Sequence, residues 1–141
     1  MVEAESWYAV SEGQEFILTE EMDSQRLVVW AAASGDFYQI HYDDDFAKGN
    51  NLPDIIVHGA LKGMLVGRLL DEICGTEGRI KNWGVSYRGM DPARRDLTIH
   101  ATVTKKYEED GEKLLDLEVG VKQDDGSTET TPGTATVALP A

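Results

Sequence analysis

The sequence predicts an α+β fold in which one long apolar helix lies across the concave face of a strongly curved antiparallel sheet. Three observations lead there. Between Ile55 and Gly75, apolar residues recur at helical spacing over a broad face. From Trp83 to Leu139 they recur instead with period two, the signature of half-buried strands. Asp91-Pro92, Asp110-Gly111 and Asp125-Gly126 interrupt the alternating runs where antiparallel strands must turn. The 141 residues suit one domain, 1–141, around one core, with no internal repeat or low-complexity linker to divide it.

The elements follow in order. A strand is expected near Trp7 to Leu18. Thr19 then reads as a helix N-cap, with Glu20 and Glu21 in the first turn where the helix dipole favours acids. Leu27, Val28, Trp30, Ala31 and Ala32 continue a helical pattern that Gly35 ends as a C′ glycine, leaving Asp36 just past a helix end. Ala47 to Pro53 is turn-rich and reads as loop. In the long helix, Leu61, Met64, Leu65, Leu69, Leu70 and Ile73 form the apolar face, while Lys62, Arg68, Asp71 and Glu72 are the main polar positions. Such a helix must be largely enclosed. Gly59, Gly63 and Gly67 make a ridge without side chains along it, and glycine costs about 1 kcal/mol at each helix-interior position. Close approach of another backbone or of a ligand accounts for the ridge, with packing favoured at Gly63 and Gly67.

The strands carry Trp83, Val85 and Tyr87 on one face. Ile99, Ala101 and Val103 oppose Thr98, His100, Thr102 and Thr104; Leu115, Leu117, Val119 and Val121 oppose Asp116, Glu118 and Lys122. Ala135, Val137 and Leu139 complete the pattern. A long helix followed by about four such strands is the hot-dog architecture. Met64 and Met90 are expected in the core, and His100 at the surface.

Net charge is −13, from 26 acidic and 13 basic residues. That field repels nucleic acid and anionic membranes, and no apolar run approaches the roughly 20 residues that span a bilayer. The start, MVEAESWYAV, has no basic region before an apolar stretch, so no signal peptide is expected. The single cysteine, Cys74, fits a reducing cytoplasm and reads as a small buried hydrophobe. An anionic ligand needs a local basic patch, for which Arg79, Lys81, Arg88, Arg94 and Arg95 are candidates; the alternative is that they balance neighbouring acids.

The stretch SGDFYQIHYDDDFA, 34–47, places an aspartate and a histidine five residues apart among aromatics. Ser34, Gly35, Asp36, Ile40, His41 and Ala47, followed by His58-Gly59 opening a long helix, resemble the MaoC-like (R)-specific enoyl-CoA hydratases. That family's segment reads roughly S/T-G-D-x-N-P-I/L-H, then five residues and A or S. Tyr38 and Gln39 depart from its Asn-Pro. The resemblance implies that Asp36 and His41 are the catalytic pair, holding one water that adds to Cβ of a 2-enoyl thioester and returning a proton to Cα. It implies that the N–H of Gly59 faces the thioester oxygen; Ser34, Tyr38 and His58 are further candidates beside the substrate. Tyr38 stands between the catalytic positions, where it would form a pocket wall suited to a bulky, ring-bearing acyl group, or pack under the loop beside Phe37.

On this reading a CoA thioester is the substrate, no cofactor is needed, and the partner is a second copy or a different hot-dog subunit. Two alternatives stand beside it: a hot-dog thioesterase, disfavoured because the acids of the long helix, Asp71 and Glu72, come late; and a non-catalytic subunit of a heteromeric hydratase. A metal set of His41, Asp43, Asp45 and His58 is weighed and set aside, since no ligand spacing stands out and Asp43 to Asp45 read as a charged surface.

Overall fold

A computed structural model of the chain describes residues 2–123 and 128–141. The chain runs through a 3-10 turn at Trp7–Ala9, strand β1 (Glu15–Glu21), helix α1 (Ser24–Ser34), a second 3-10 turn at Gln39–His41, a short α2 (Asp44–Gly49) and the central α3 (Gly59–Cys74). Strands β2 (Arg79–Val85), β3 (Asp96–Glu109), β4 (Glu112–Gln123) and β5 (Glu129–Ala138) follow. The sheet is antiparallel throughout, in the order β1-β3-β4-β5-β2, and α3 packs against all five strands. This is the expected α+β hot-dog arrangement, and β1 and β2 are its edges.

The core lies between α3 and the inner sheet face. Leu61, Leu65, Leu69, Leu70 and Ile73 are buried against Phe16, Ile99, Ala101, Leu115, Leu117, Val119 and Val137. Each fully buried aliphatic or aromatic side chain contributes about 1.5–3 kcal/mol. Cys74 is buried here too, and desolvation pushes its thiol up to about 11, so it stays protonated and packs as a hydrophobe. The β3–β4 turn is where it was expected: Asp110 and Gly111 both have positive φ, 52° and 79°. The turn expected at Asp125-Gly126 lies outside the described residues.

Several expectations are corrected. Thr19 is not an N-cap. Pairing with β3 carries β1 through Glu21, opposite Asp96, and α1 starts only after Asp23, whose Oδ1 accepts the N–H of Arg26 at 2.8 Å. Gly35 does end α1, in the left-handed region at φ 78°. The segment after Ala47 is not wholly loop, because Asp43 caps α2 by accepting the N–H of Phe46. Trp7 lies in a 3-10 turn rather than a strand. Met64 and Met90 are exposed, not core: Met64 faces away from the sheet, and Met90 lies on the connection after β2. His100 is buried rather than superficial. It stands opposite Gly120, where a Cβ would collide with Glu129, and the missing side chain lets the Glu129 carboxylate meet the ring at 2.8 Å.

The glycine ridge is explained by β2 and the residues after it. Tyr87 lies over Gly59 and Gly63, and Trp83 over Gly67, where a Cβ would stand only 3.0 Å from its ring. The aromatic side chains occupy the volume that α3 leaves empty. Immediately before α3, Ile55–Val57 and Asp91–Ala93 form a small antiparallel ladder, with Val57 N donating to Asp91 O and Ala93 N to Ile55 O, each at 2.8 Å.

Candidate active site

Two elements bring the chemistry together. The segment after α1 carries Asp36 and His41, and the start of α3 carries His58 and Gly59. His41 is buried, and its Nδ1 lies 2.7 Å from the carbonyl oxygen of Ile56. A carbonyl only accepts, so Nδ1 bears the proton and Nε2 keeps its lone pair. That Nε2 stands 3.8 Å from Asp36 Oδ2. The gap is too long for a direct hydrogen bond and suits one water held by both groups.

Asp36 is itself anchored. Its N–H donates to Ser34 Oγ at 3.2 Å, and Ser34 Oγ donates to Trp30 O at 2.7 Å. Its Oδ1 accepts the N–H of Tyr38 at 3.3 Å, which leaves Oδ2 directed at His41. Ser34 thus ties the end of α1 to the aspartate and stands outside the cleft beside His41.

His58 precedes α3 and is fully buried. Its Nε2 donates to the backbone oxygen of Asp36 at 3.2 Å, and its ring stacks on His41 with centroids 3.8 Å apart. Burial, and secondarily the neighbouring His41, hold its pKa below the ordinary value of 6.5. A neutral His58 can lie under His41 without repelling a proton that arrives there. Asp36, His41 and His58 offer ligand atoms within 4.8 Å of one another. The two rings stack 18° from parallel, and each has one nitrogen already engaged by a backbone carbonyl. Of the other acids weighed as ligands, Asp43 is engaged in capping α2 and neither it nor Asp45 joins this group.

A cleft of about 320 Å³ opens beside His41, lined by Ile56, Val57, Gly59, Lys62, Tyr87, Arg88, Gly89 and Met90. The N–H of Gly59 belongs to the first turn of α3, whose donors the helix leaves unpaired, at the positive end of its dipole. Tyr38 is 52% exposed and makes T-shaped contacts with His41 at 6.3 Å and Phe46 at 5.9 Å between centroids. Phe37 packs on Tyr42 instead. Of the basic cluster, Arg79 and Lys81 engage Glu112, and Arg94 engages Asp54 and Asp44. Arg88 alone of the five lines the cleft.

Sequence reasoning missed Lys62, which reads as a polar helix position yet is 2% exposed, with Nζ 2.8 Å from Asp91 Oδ2. The available signal was a lysine between Leu61 and the glycine ridge one turn past His58, off the solvent face that runs through Ala60, Met64 and Arg68.

Residues 2–126 match the MaoC like domain family. Among solved structures, the chain is similar to the (R)-hydratase from A. caviae involved in PHA biosynthesis, at 25% identity over 94% of this chain and 98% of that one, with a TM-score of 0.83. The R-hydratase PhaJ1 from Pseudomonas aeruginosa is 21% identical over 99% and 88% of the two chains, with a TM-score of 0.87. A chain of the ChsH1-ChsH2 complex from Mycobacterium tuberculosis is 24% identical over 92% and 98%, with a TM-score of 0.76. The last two likenesses concern the fold. A curated relative, the fatty acid synthase beta subunit hexB of Dothistroma septosporum, is 31% identical over 108 residues, 67% of this chain, which spans only 6% of that protein's length. No helix among the described residues is long and apolar enough to cross a membrane.

Proposed function

The chain belongs to the MaoC-like domain family, and on that premise we propose that it adds water across the 2,3 double bond of an enoyl-CoA thioester to give a 3-hydroxyacyl-CoA, and catalyses the reverse dehydration. The observation that carries this reading is the 3.8 Å opening between His41 Nε2 and Asp36 Oδ2, with His41 Nδ1 committed to Ile56 O.

In the mechanism, Asp36 and His41 hold a water by accepting its two protons. As the water oxygen bonds to Cβ, one proton passes to the pair, and the π electrons move through Cα to the thioester oxygen. The N–H of Gly59 meets the developing enolate oxygen at the dipole's positive end. The pair then delivers the proton to Cα. Water and protein groups supply every atom moved, so no cofactor or metal enters. Arg88, at the cleft and free of the ion pairs that occupy Arg79, Lys81 and Arg94, meets a phosphate of CoA.

For the acyl group we propose a bulky or ring-bearing one, because the half-exposed Tyr38 beside His41 offers an aromatic face. We also propose that the working unit pairs two hot-dog subunits, this chain with its own copy or with a different one. Edge strand β2 leaves Trp83 partly exposed, as is the adjoining Tyr87 in the cleft, and a similar chain occurs in the ChsH1-ChsH2 complex.

The test is incubation with crotonyl-CoA and with a longer and a ring-bearing enoyl-CoA, following enoyl absorbance and free thiol separately. Absorbance loss without thiol is expected. Thiol release would make the protein a thioesterase, and neither signal, alone or with a partner chain, would make it a non-catalytic subunit. Light scattering at micromolar concentration decides the assembly: an active monomer overturns it.

A further inference from the structure

Lys62 and Asp91 form a buried charged pair that the mechanism does not use. Lys62 Nζ donates to Asp91 Oδ2 at 2.8 Å and to Gly89 O at 3.0 Å, and Thr130 Oγ1 donates to the same carboxylate oxygen at 2.6 Å. Lys62 is 2% exposed and Asp91 0%. An apolar pair of similar volume fills such a space with less desolvation, so the ions call for a purpose beyond packing.

Their connections supply one. The backbone oxygen of Asp91 accepts the N–H of Val57, Ile56 bridges to Pro92, and Ile56 O is the acceptor that sets the His41 tautomer. On the other side, Lys62 grows from the first turn of α3, its own N–H donating to His58 O at 3.2 Å. Gly89, whose carbonyl Lys62 holds, lines the cleft. One ion pair therefore joins the helix start that carries Gly59, the Ile55–Val57 segment that orients His41 and the segment that walls the cleft.

We propose that Lys62 and Asp91 are positioning residues: they hold Ile56 so that His41 presents Nε2 toward Asp36, in register with Gly59. The kinetic arm of the test rests on the hydratase reading; the spectroscopic arm does not. In NMR of the full chain without substrate, the His41 Nδ1 proton reports its bond to Ile56 O through its exchange with water. Lys62→Met with Asp91→Leu replaces the ions by an apolar pair. The expected result is a folded protein whose His41 proton exchanges about ten-fold faster. Its kcat falls by roughly 10²-fold with far less change in KM, as a slightly misplaced base requires. Lys62→Gln with Asp91→Asn, a neutral hydrogen-bonded tether, restores both readouts. A folded Met/Leu protein with unchanged exchange and unchanged kcat overturns the proposal. If that protein does not fold, Thr130→Val, nearly isosteric, takes its place: faster exchange supports the tether and unchanged exchange overturns it. If the unaltered chain hydrates no enoyl-CoA, the hydratase reading fails alone, and proton exchange still decides the role of the pair.

Discussion

Two polar clusters stand around the start of α3, and they differ in how closely their charged groups meet. Around Asp91 one carboxylate oxygen is held from two sides, 2.8 Å from Lys62 and 2.6 Å from Thr130, while the other, also buried, has no partner. Around Asp36 the carboxylate is half-exposed, Oδ2 stops 3.8 Å short of His41, and the buried Nδ1 of His58 has no partner. A closed cluster in low dielectric resists change in either member, because removing one charge strands the other. An open cluster keeps a gap and lone pairs in reserve, which a reacting water can occupy. The closed set suits holding a backbone, and the open set suits moving a proton.

Substitutions in the two clusters should therefore break different properties. The largest expected effect is at the open one: His41→Gln or Asp36→Asn lowers hydration by about 10²–10⁴-fold, while denaturant unfolding shows the fold retained. Near-full rate in either variant on a good substrate removes the pair from the mechanism. At the closed cluster, Lys62→Met alone strands the Asp91 carboxylate and is expected to lower stability by about 3–5 kcal/mol, read from urea midpoints. A loss no larger than that of a surface substitution would show the pair to be replaceable.

The third effect separates the clusters by pH. His58 has a folded-state pKa below 6.5, so the unfolded chain binds its proton first. Its contribution is fully present above pH 6.5 and is lost as pH falls from there through the lower folded value. Thermal melts between pH 7.5 and pH 5, of the protein and of His58→Asn, are expected to show a smaller acid-side loss in the variant. Equal losses would assign that slope to other groups.

The smallest effect belongs to the ridge. A Cβ at Gly63 would meet Tyr87 Oη at 2.5 Å, but that is the far end of a half-exposed side chain that can swing outward. Gly63→Ala is expected to change stability by less than about 1 kcal/mol, helix propensity offsetting lost contact with Tyr87. Urea unfolding tests this, and a large loss would mean that Tyr87 is held in place.

The α3 pattern, the alternation of β3, β4 and β5, the αL glycine at the end of α1 and the motif residues Asp36, His41, His58 and Gly59 are legible along the chain. Each is a local signal, set by a period, by one residue's φ preference or by chemistry within a few positions. Tertiary structure alone decided the rest. Thr19 became strand because β3 offered it backbone partners, and Asp23 was free to cap α1 instead. His100 was buried because Gly120, twenty residues away in sequence but opposite in the sheet, left room for Glu129. Lys62 and Asp91 met only because the segment after β2 returns to α3. The open geometry between Asp36 and His41 depends in the same way on Ile56, whose carbonyl fixes one imidazole nitrogen and so frees the other. Local propensity is written along the chain. Which buried groups face one another is set by long-range pairing, and no window of neighbouring residues contains it.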